Sequence, residues 1–258
     1  MNKYKIDTHT HTVSSGHAYS TVTENAKYAA SIGLEIIGMT DHAPKMPGSC
    51  GYLHFLNLRI LPEYIEGVRV LKGIELNILD STGKVDMSER ILKNLDIAIA
   101  SLHLPCIDPK SEEDFTETLI NVIKNPLVNI IGHPGDPRYP IDVKKLVTAA
   151  RDYNTLLEIN NSSLDPNGSR AGGDKIVKDI ILECKRQDMP IILGSDAHYM
   201  TSVGDFTNVQ KLLDEVQMPD ELIINTDTEA FIKQYIYPFF CEFCGLNFCL
   251  YCLPETRL

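Results

Sequence analysis

Seven histidines and two acids of this 258-residue sequence stand in motifs suited to holding hard or borderline divalent metals: His9, His11, His17, His42, Glu75, His103, His133, Asp196 and His198. Imidazole nitrogens and carboxylate oxygens together suit Zn, Mn and Fe. His9 and His11 stand two apart, as do Asp196 and His198. On extended chain, residues two apart point the same way. Three four-coordinate ions need about twelve ligand positions. Nine groups with Glu75 bridging supply about ten, and one bridging hydroxide or water supplies the remainder. The count therefore predicts a trinuclear centre. The eighth histidine, His54 in LHFLNLR, reads as a packing or lid residue.

A lone histidine is usually a hydrogen-bonded structural residue. The elements that carry these nine groups argue otherwise. Apolar runs at residues 4–7, 35–40, 69–76, 95–101, 127–132, 155–160 and 190–195 are rich in Ile, Val and Leu. Such runs fit strands buried on both faces. Amphipathic stretches at 23–32, 111–124, 143–153, 174–187, 205–216 and 228–235 predict helices between and after them. Ser111 and the acidic residues behind it read as a helix start, and Asn125-Pro126 as its stop. The longest non-periodic stretch, 41–62, is read as a loop over one end.

The alternation predicts a single α/β domain, a parallel (β/α)7 barrel over residues 1–236. In such a barrel every strand ends on one face, where active sites form. DTHTH follows the first strand and Asp41-His42 the second. Glu75 ends the third, His103 and His133 follow the fourth and fifth, and Asp196-Ala-His198 follows the seventh. The nine groups thus converge. Asp7 and Asp41 adjoin them and either orient an imidazole from behind or cap a strand end.

Lys+Arg number 24 against 35 Asp+Glu, a net charge of −11, with 43% hydrophobic residues. The apolar share is enough for a core, and the acidic surface disfavours nucleic acid as a partner. An N-terminus without an apolar h-region and an odd count of seven Cys predict a reducing cytoplasm. The mostly apolar run 235–253 is interrupted by Pro238, Glu242, Gly245 and Asn247, so a membrane span is not expected. Cys241, Cys244, Cys249 and Cys252 form two C-x-x-C knuckles. Four thiolates can close a zinc site. The four-residue gap between them is short against roughly 15–20 in the common pattern, so an apolar tail packed on the body competes. Residues 237–258 are accordingly an appended Cys-rich tail of unassigned role.

The segments DTHTHT, HAYST, TDHAP, GIELNI, ASLHLP, IIGHPGDPRY, LEINNSS and LGSDAH resemble the PHP (polymerase and histidinol phosphatase) family, in particular its stand-alone YcdX-like phosphatases. The resemblance runs from residue 3 to about residue 236. It implies a distorted seven-stranded barrel and three divalent ions, zinc first, with Mn or Fe accepted by the same ligands. It implies cleavage of small-molecule phosphate monoesters by a metal-bridging hydroxide. Carried over position by position, His9 and His11 share one ion with Glu75 and Asp196. Glu75 bridges to a second ion held by His103 and His133, and His17, His42 and His198 hold the third.

Arg59, Arg138 and Arg170 are candidate substrate clamps, because a guanidinium grips phosphate bidentately. Solvated surface charge is the competing reading, weakest for Arg170 in NGSRAGG. Rival functions are a histidinol-phosphate phosphatase or phosphodiesterase of the same family, and a non-catalytic metal-binding scaffold. An amidohydrolase would want a bridging Lys on the fourth strand, where AIASLHLP offers His103 and none. The expected partner is a small phosphorylated substrate, and homo-oligomerisation is left open.

Overall fold

The computed structural model describes residues 3–109 and 114–236. Ser111 and the four terminal cysteines lie outside the described residues. The strands are β1 (Ile6–Thr10), β2 (Ile36–Met39), β3 (Tyr64–Ile65), β4 (Val68–Asn77), β5 (Ile97–Ser101), β6 (Ile130–Ile131), β7 (Leu156–Asn160) and β8 (Ile191–Gly194). Seven pair in parallel in the order β1-β2-β4-β5-β6-β7-β8, and β3 pairs antiparallel with β4. The result is a nearly closed parallel barrel in a single domain.

The helices are α1 (Val22–Ser31), α2 (Tyr52–Asn57), α3 (Glu89–Leu92), α4 (Phe115–Ile123), α5 (Val143–Tyr153), α6 (Asp174–Arg186), α7 (Thr207–Val216) and α8 (Thr228–Phe231). Thr21 and Glu24 form a capping box at the start of α1. Asp114 caps α4, accepting from the Thr116 and Glu117 N–H groups. The expected loop 41–62 contains α2 and a 3-10 turn over Leu58–Ile60. Phe55 and Leu58, three apart, share the face that packs into the core.

The strands separate their two faces by alternation. Ile74, Leu76, Ala98, Ala100, Leu157 and Ile159 face outward against Val147 and Ala150 of α5 and Ile180 and Cys184 of α6. The inner face is layered. Ile36, Leu71, Ile97, Ile130, Leu156 and Ile192 form its base, which Phe231 and Tyr235 plug from below. Two residues on, β2, β4, β6 and β8 reach Gly38, Gly73, Gly132 and Gly194. A Cβ on Gly194 would collide with the Glu158 carboxylate, and one on Gly132 with the Ser101 hydroxyl. The interior is too narrow there for another side chain. Two further residues along, the lining turns polar, with Glu75, Ser101, Asn160 and Asp196 all buried. In β1 the register slips between Asp7 and Thr10. That irregularity reconciles Ile6 at the base with His9 on the same inner face.

Among the described residues no continuous ladder joins β8 to β1. Side chains and one isolated main-chain bridge, Thr10 with Ala197, hold this seam. The fully buried Asn225 donates through Nδ2 to the Ile6 (2.8 Å) and Leu193 (2.9 Å) carbonyls and accepts from the Leu193 N–H (2.7 Å). Its own carbonyl accepts from the Lys5 N–H at 2.8 Å. Higher up, Asp7 accepts from the Ser195 hydroxyl (2.5 Å) and the Ser195 N–H (3.2 Å). At the top the His11 N–H donates to the Ala197 carbonyl at 2.9 Å.

Candidate active site

The C-terminal ends of the barrel strands bring all nine sequence-proposed metal residues to one mouth. The imidazoles form a contiguous set. The His11 ring lies 4.3 Å from those of His42 and His198, and His17 lies 4.9 Å from His42. His103 lies 5.1 Å from His42 and 5.2 Å from His133, which stands 6.0 Å from His9. Glu75 is fully buried at the hub. Its Oε1 is 3.1 Å from Nε2 of His103 and of His133 and 3.4 Å from His9 Nε2. Its Oε2 is 2.6 Å from His42 Nδ1 and 3.6 Å from His11 Nε2. Asp196 Oδ1 sits 3.2 Å from His11 Nε2 and 3.5 Å from His198 Nδ1.

Three sets of ligand atoms lie close enough to share an ion: His9, His11 and Asp196; His11, His42 and His198; and His42, Glu75 and His103. The donor chemistry fits divalent ions. His9 Nε2, His11 Nε2, His42 Nδ1 and Glu75 Oε2 are buried without a hydrogen-bond partner. The 2.6 Å approach of His42 to Glu75 lacks hydrogen-bond geometry. Each buried polar atom left unpaired costs about 1–3 kcal/mol, and a cation among them would satisfy several at once.

The electrostatics suit His11, His103 and Glu75 as ligands, whereas His9 would have to give up a proton to join them. Burial pulls the His11 pKa down to about 3, and nearby His42 adds to it. Burial pulls His103 down to about 4 in spite of Glu75. Both rings therefore offer neutral nitrogen lone pairs, the form that ligates. Burial would lift Glu75, but His103, His42 and His9 hold it well below the carboxylate range. Burial opposes a proton on His9, yet Glu158, Glu75 and Asp196 together raise its pKa well above the usual value. Two of the nine hold left-handed backbone, His133 at φ 31° and Asp196 at φ 57°. Strain of that kind persists where the surrounding structure over-determines it, and it clusters at functional sites.

A supporting layer escapes sequence reasoning. Glu158 lies 2.7 Å from His9 Nδ1 and accepts from the His133 N–H at 2.7 Å. Asn77 Oδ1 lies 2.8 Å from His103 Nδ1, and Ser15 Oγ lies 3.0 Å from His11 Nδ1. Each partner fixes one ring nitrogen and so aims the other inward. The signal for Glu158 was available: one acid inside the apolar strand LLEIN. Asp41 accepts from Ser15 Oγ (2.6 Å) and from the Thr12 N–H (2.7 Å), so it orients His11 through Ser15. Asp7 instead holds backbone, accepting from the N–H groups of His9, Ser195 and Gly204. His54 stands behind the cluster, 3.5 Å from Asp41.

The mouth cavity has a volume of about 360 Å³ and is lined by His17, His103, His133, Arg138, Arg170 and His198 among others. Arg170 donates to Ser163 Oγ at 2.8 Å and pairs with Asp196. Arg138 donates to Asp136 at 2.8 Å. Arg59 is exposed on the 3-10 turn and lines neither cavity at the mouth. Leu58 beside it turns into the core, which leaves Arg59 facing solvent.

A family profile described as PHP domain matches residues 7–165. A probable phosphatase of Acetivibrio thermocellus is 49% identical over 234 residues, covering 91% of this chain and 95% of that one. A probable phosphatase of Caldanaerobacter subterraneus subsp. tengcongensis is 50% identical over 232 residues, 90% of each chain. Among solved structures, histidinol phosphate phosphatase from Lactococcus lactis complexed with Zn, L-histidinol and phosphate gives a TM-score of 0.56 at 19% identity, covering 84% of this chain and 95% of that one. A chain of archaeal ribonuclease P with mature tRNA gives 0.59 at 13% identity, covering 98% of each. At such identities these two likenesses carry the fold alone. The profile match and the near-half identity of full-length relatives establish that this chain belongs to the PHP domain family and stands among its phosphatases.

Proposed function

We propose that this protein hydrolyses phosphate monoesters of small molecules at a three-metal site. The observation that carries the reading is the convergence of seven imidazoles, Glu75 and Asp196 in one cluster at the barrel mouth, with buried His9 Nε2, His11 Nε2 and Glu75 Oε2 unpartnered. His9, His11, Glu75 and Asp196 would hold one ion, Glu75, His103 and His133 a second, and His17, His42 and His198 a third. Zinc is the first candidate, and the same donors accept Mn or Fe. Bound divalent ions would lower the pKa of a water to about 7 and offset charge on the phosphoryl oxygens.

The chain's own groups do the rest. Glu158, Asn77 and Ser15 hold the His9, His103 and His11 rings in place through their second nitrogens. Arg138 and Arg170 at the mouth supply guanidinium charge to an otherwise acidic molecule. The carboxylates already paired with them, Asp136 and Asp196, pre-set their positions.

Elemental analysis of protein purified without added metal, followed by p-nitrophenyl phosphate assays, tests the reading. Repeated turnover with about three equivalents of metal is the expected result. Stoichiometric metal uptake without hydrolysis would replace it with a metal-binding scaffold.

A further inference from the structure

A second cavity, about 450 Å³, opens beside the metal residues and shares Ser162, Asp196 and His198 with the mouth cavity. That volume is in the range of small-molecule sites. Its walls come from the loops after three neighbouring strands. Asn161 and Asp165 follow β7, Tyr199 and Asp205 follow β8, and Tyr19 follows β1. The tyrosine loops are tied together: the Tyr19 N–H donates to the His198 carbonyl at 2.9 Å, and the Met200 N–H to Ser20 Oγ at 2.9 Å.

The two cavities differ in chemistry. The mouth carries Arg138 and Arg170, whereas among the described residues no Lys or Arg lines the second cavity. It presents two aromatic side chains, Tyr19 (74% exposed) and Tyr199 (48% exposed), and two surface carboxylates. Asp165 and Asp205 each accept one local N–H, from Asn167 and Thr207, through Oδ1. A separate observation points to a ligand. Asn161 is only 6% exposed, and its Oδ1 is fixed by the N–H groups of Asn208 (2.9 Å) and Val209 (3.1 Å). Asn161 lines the cavity, and its Nδ2 is a donor with no acceptor among the described residues.

We propose that this cavity seats the organic part of the substrate, and that this part is a hydroxyl-rich ring, as in a sugar or nucleoside phosphate. The proposal rests on the phosphatase reading above and adds the substrate class to it. The phosphate belongs on the arginine side, and the ring crosses the shared Asp196–His198 rim. Tyrosine faces take the apolar C–H face of such a ring. Asn161 Nδ2 donates to a hydroxyl oxygen, while Asp165 and Asp205 accept from hydroxyl protons. A second anionic group has no cation to meet there, so phospho-acids are selected against.

The test compares kcat/KM of the metal-loaded enzyme for glucose 6-phosphate, adenosine monophosphate, ethyl phosphate and 3-phosphoglycerate. At least one ring substrate should exceed both ring-free compounds by about tenfold or more, and which one does separates a sugar from a nucleoside. Asn161→Asp keeps the acceptor that holds the loop and removes the donor. It and Tyr199→Ala should each cut the ring-to-ethyl ratio about tenfold. Tyr52→Ala, outside both cavities, should leave the ratio unchanged. Equal rates for ethyl and ring phosphates, or a ratio that neither cavity variant moves, overturns the proposal. If no phosphomonoester is turned over, the phosphatase reading has failed, and calorimetry with glucose and adenosine then decides the cavity alone. Saturable binding weakened by Asn161→Asp supports it, and absence of binding ends it.

Discussion

The two ends of the barrel interior are built from the same strands and have opposite characters. At the base, Ile36, Leu71, Leu156 and Ile192 pack over Phe231 and Tyr235. Four residues further along three of those strands stand Glu75, Asn160 and Asp196, and six along the first stands His42. The base is apolar and plugged, while the mouth gathers buried donors and acceptors without partners. A glycine layer separates the two. The comparison teaches that stability and chemistry here occupy different depths of one scaffold, so they can be perturbed separately.

The largest expected effect is at the mouth. Glu75→Gln should lower p-nitrophenyl phosphate turnover by about 10³-fold or more and reduce bound metal, with the circular dichroism of the native barrel retained. Full activity in that variant would break the comparison. At the base, Phe231→Ala should lose about 3–5 kcal/mol in urea unfolding while the folded fraction keeps its metal content. Loss of metal in step with stability would show that the two ends are coupled. Glu158→Gln reaches the mouth through the His9 ring and should weaken metal affinity about 10–100-fold in competition with a chelator. The smallest effect concerns the outer shell. Burial pushes the Cys184 thiol up to about 12, so at pH 8 roughly one part in 10⁴ is thiolate. Peptide mapping after brief alkylation should find Cys184 unmodified in native protein and modified once it is unfolded.

Much of this was legible in the chain. Strand-end placement alone put His9, His42, His103 and Asp196 together, because a parallel barrel leaves no other face for its C-terminal ends. The expected strand at 127–132 narrows to Ile130–Ile131, since Asn129 spends its side chain on the Ala98 N–H and the Tyr235 carbonyl. Of the supporting residues Asp41 was legible and Glu158 left a signal, but Asn77 and Ser15 were not. Asn77 serves His103 from a neighbouring strand, and Ser15 serves His11 from a 3-10 turn. Such roles depend on reach through space, which no local spacing encodes. The placement of Asn161 in LEINNSS depends on the Asn208 and Val209 N–H groups of α7, far along the chain.

The side-chain clasps between β8 and β1 have a mechanical consequence. His9 and His11 ride on one lip of that seam, and Asp196 and His198 on the other. Elsewhere the circumference is woven by repeated main-chain rungs that resist separation in unison. Here a few amide and carboxylate contacts act as rivets, so any widening of the ring concentrates at this line. The two halves of the ligand set are thereby held together by few ties: main-chain bonds of Ala197 to His9 and His11 at the top and, at the far end of the cylinder, a carboxamide that touches none of the ligands.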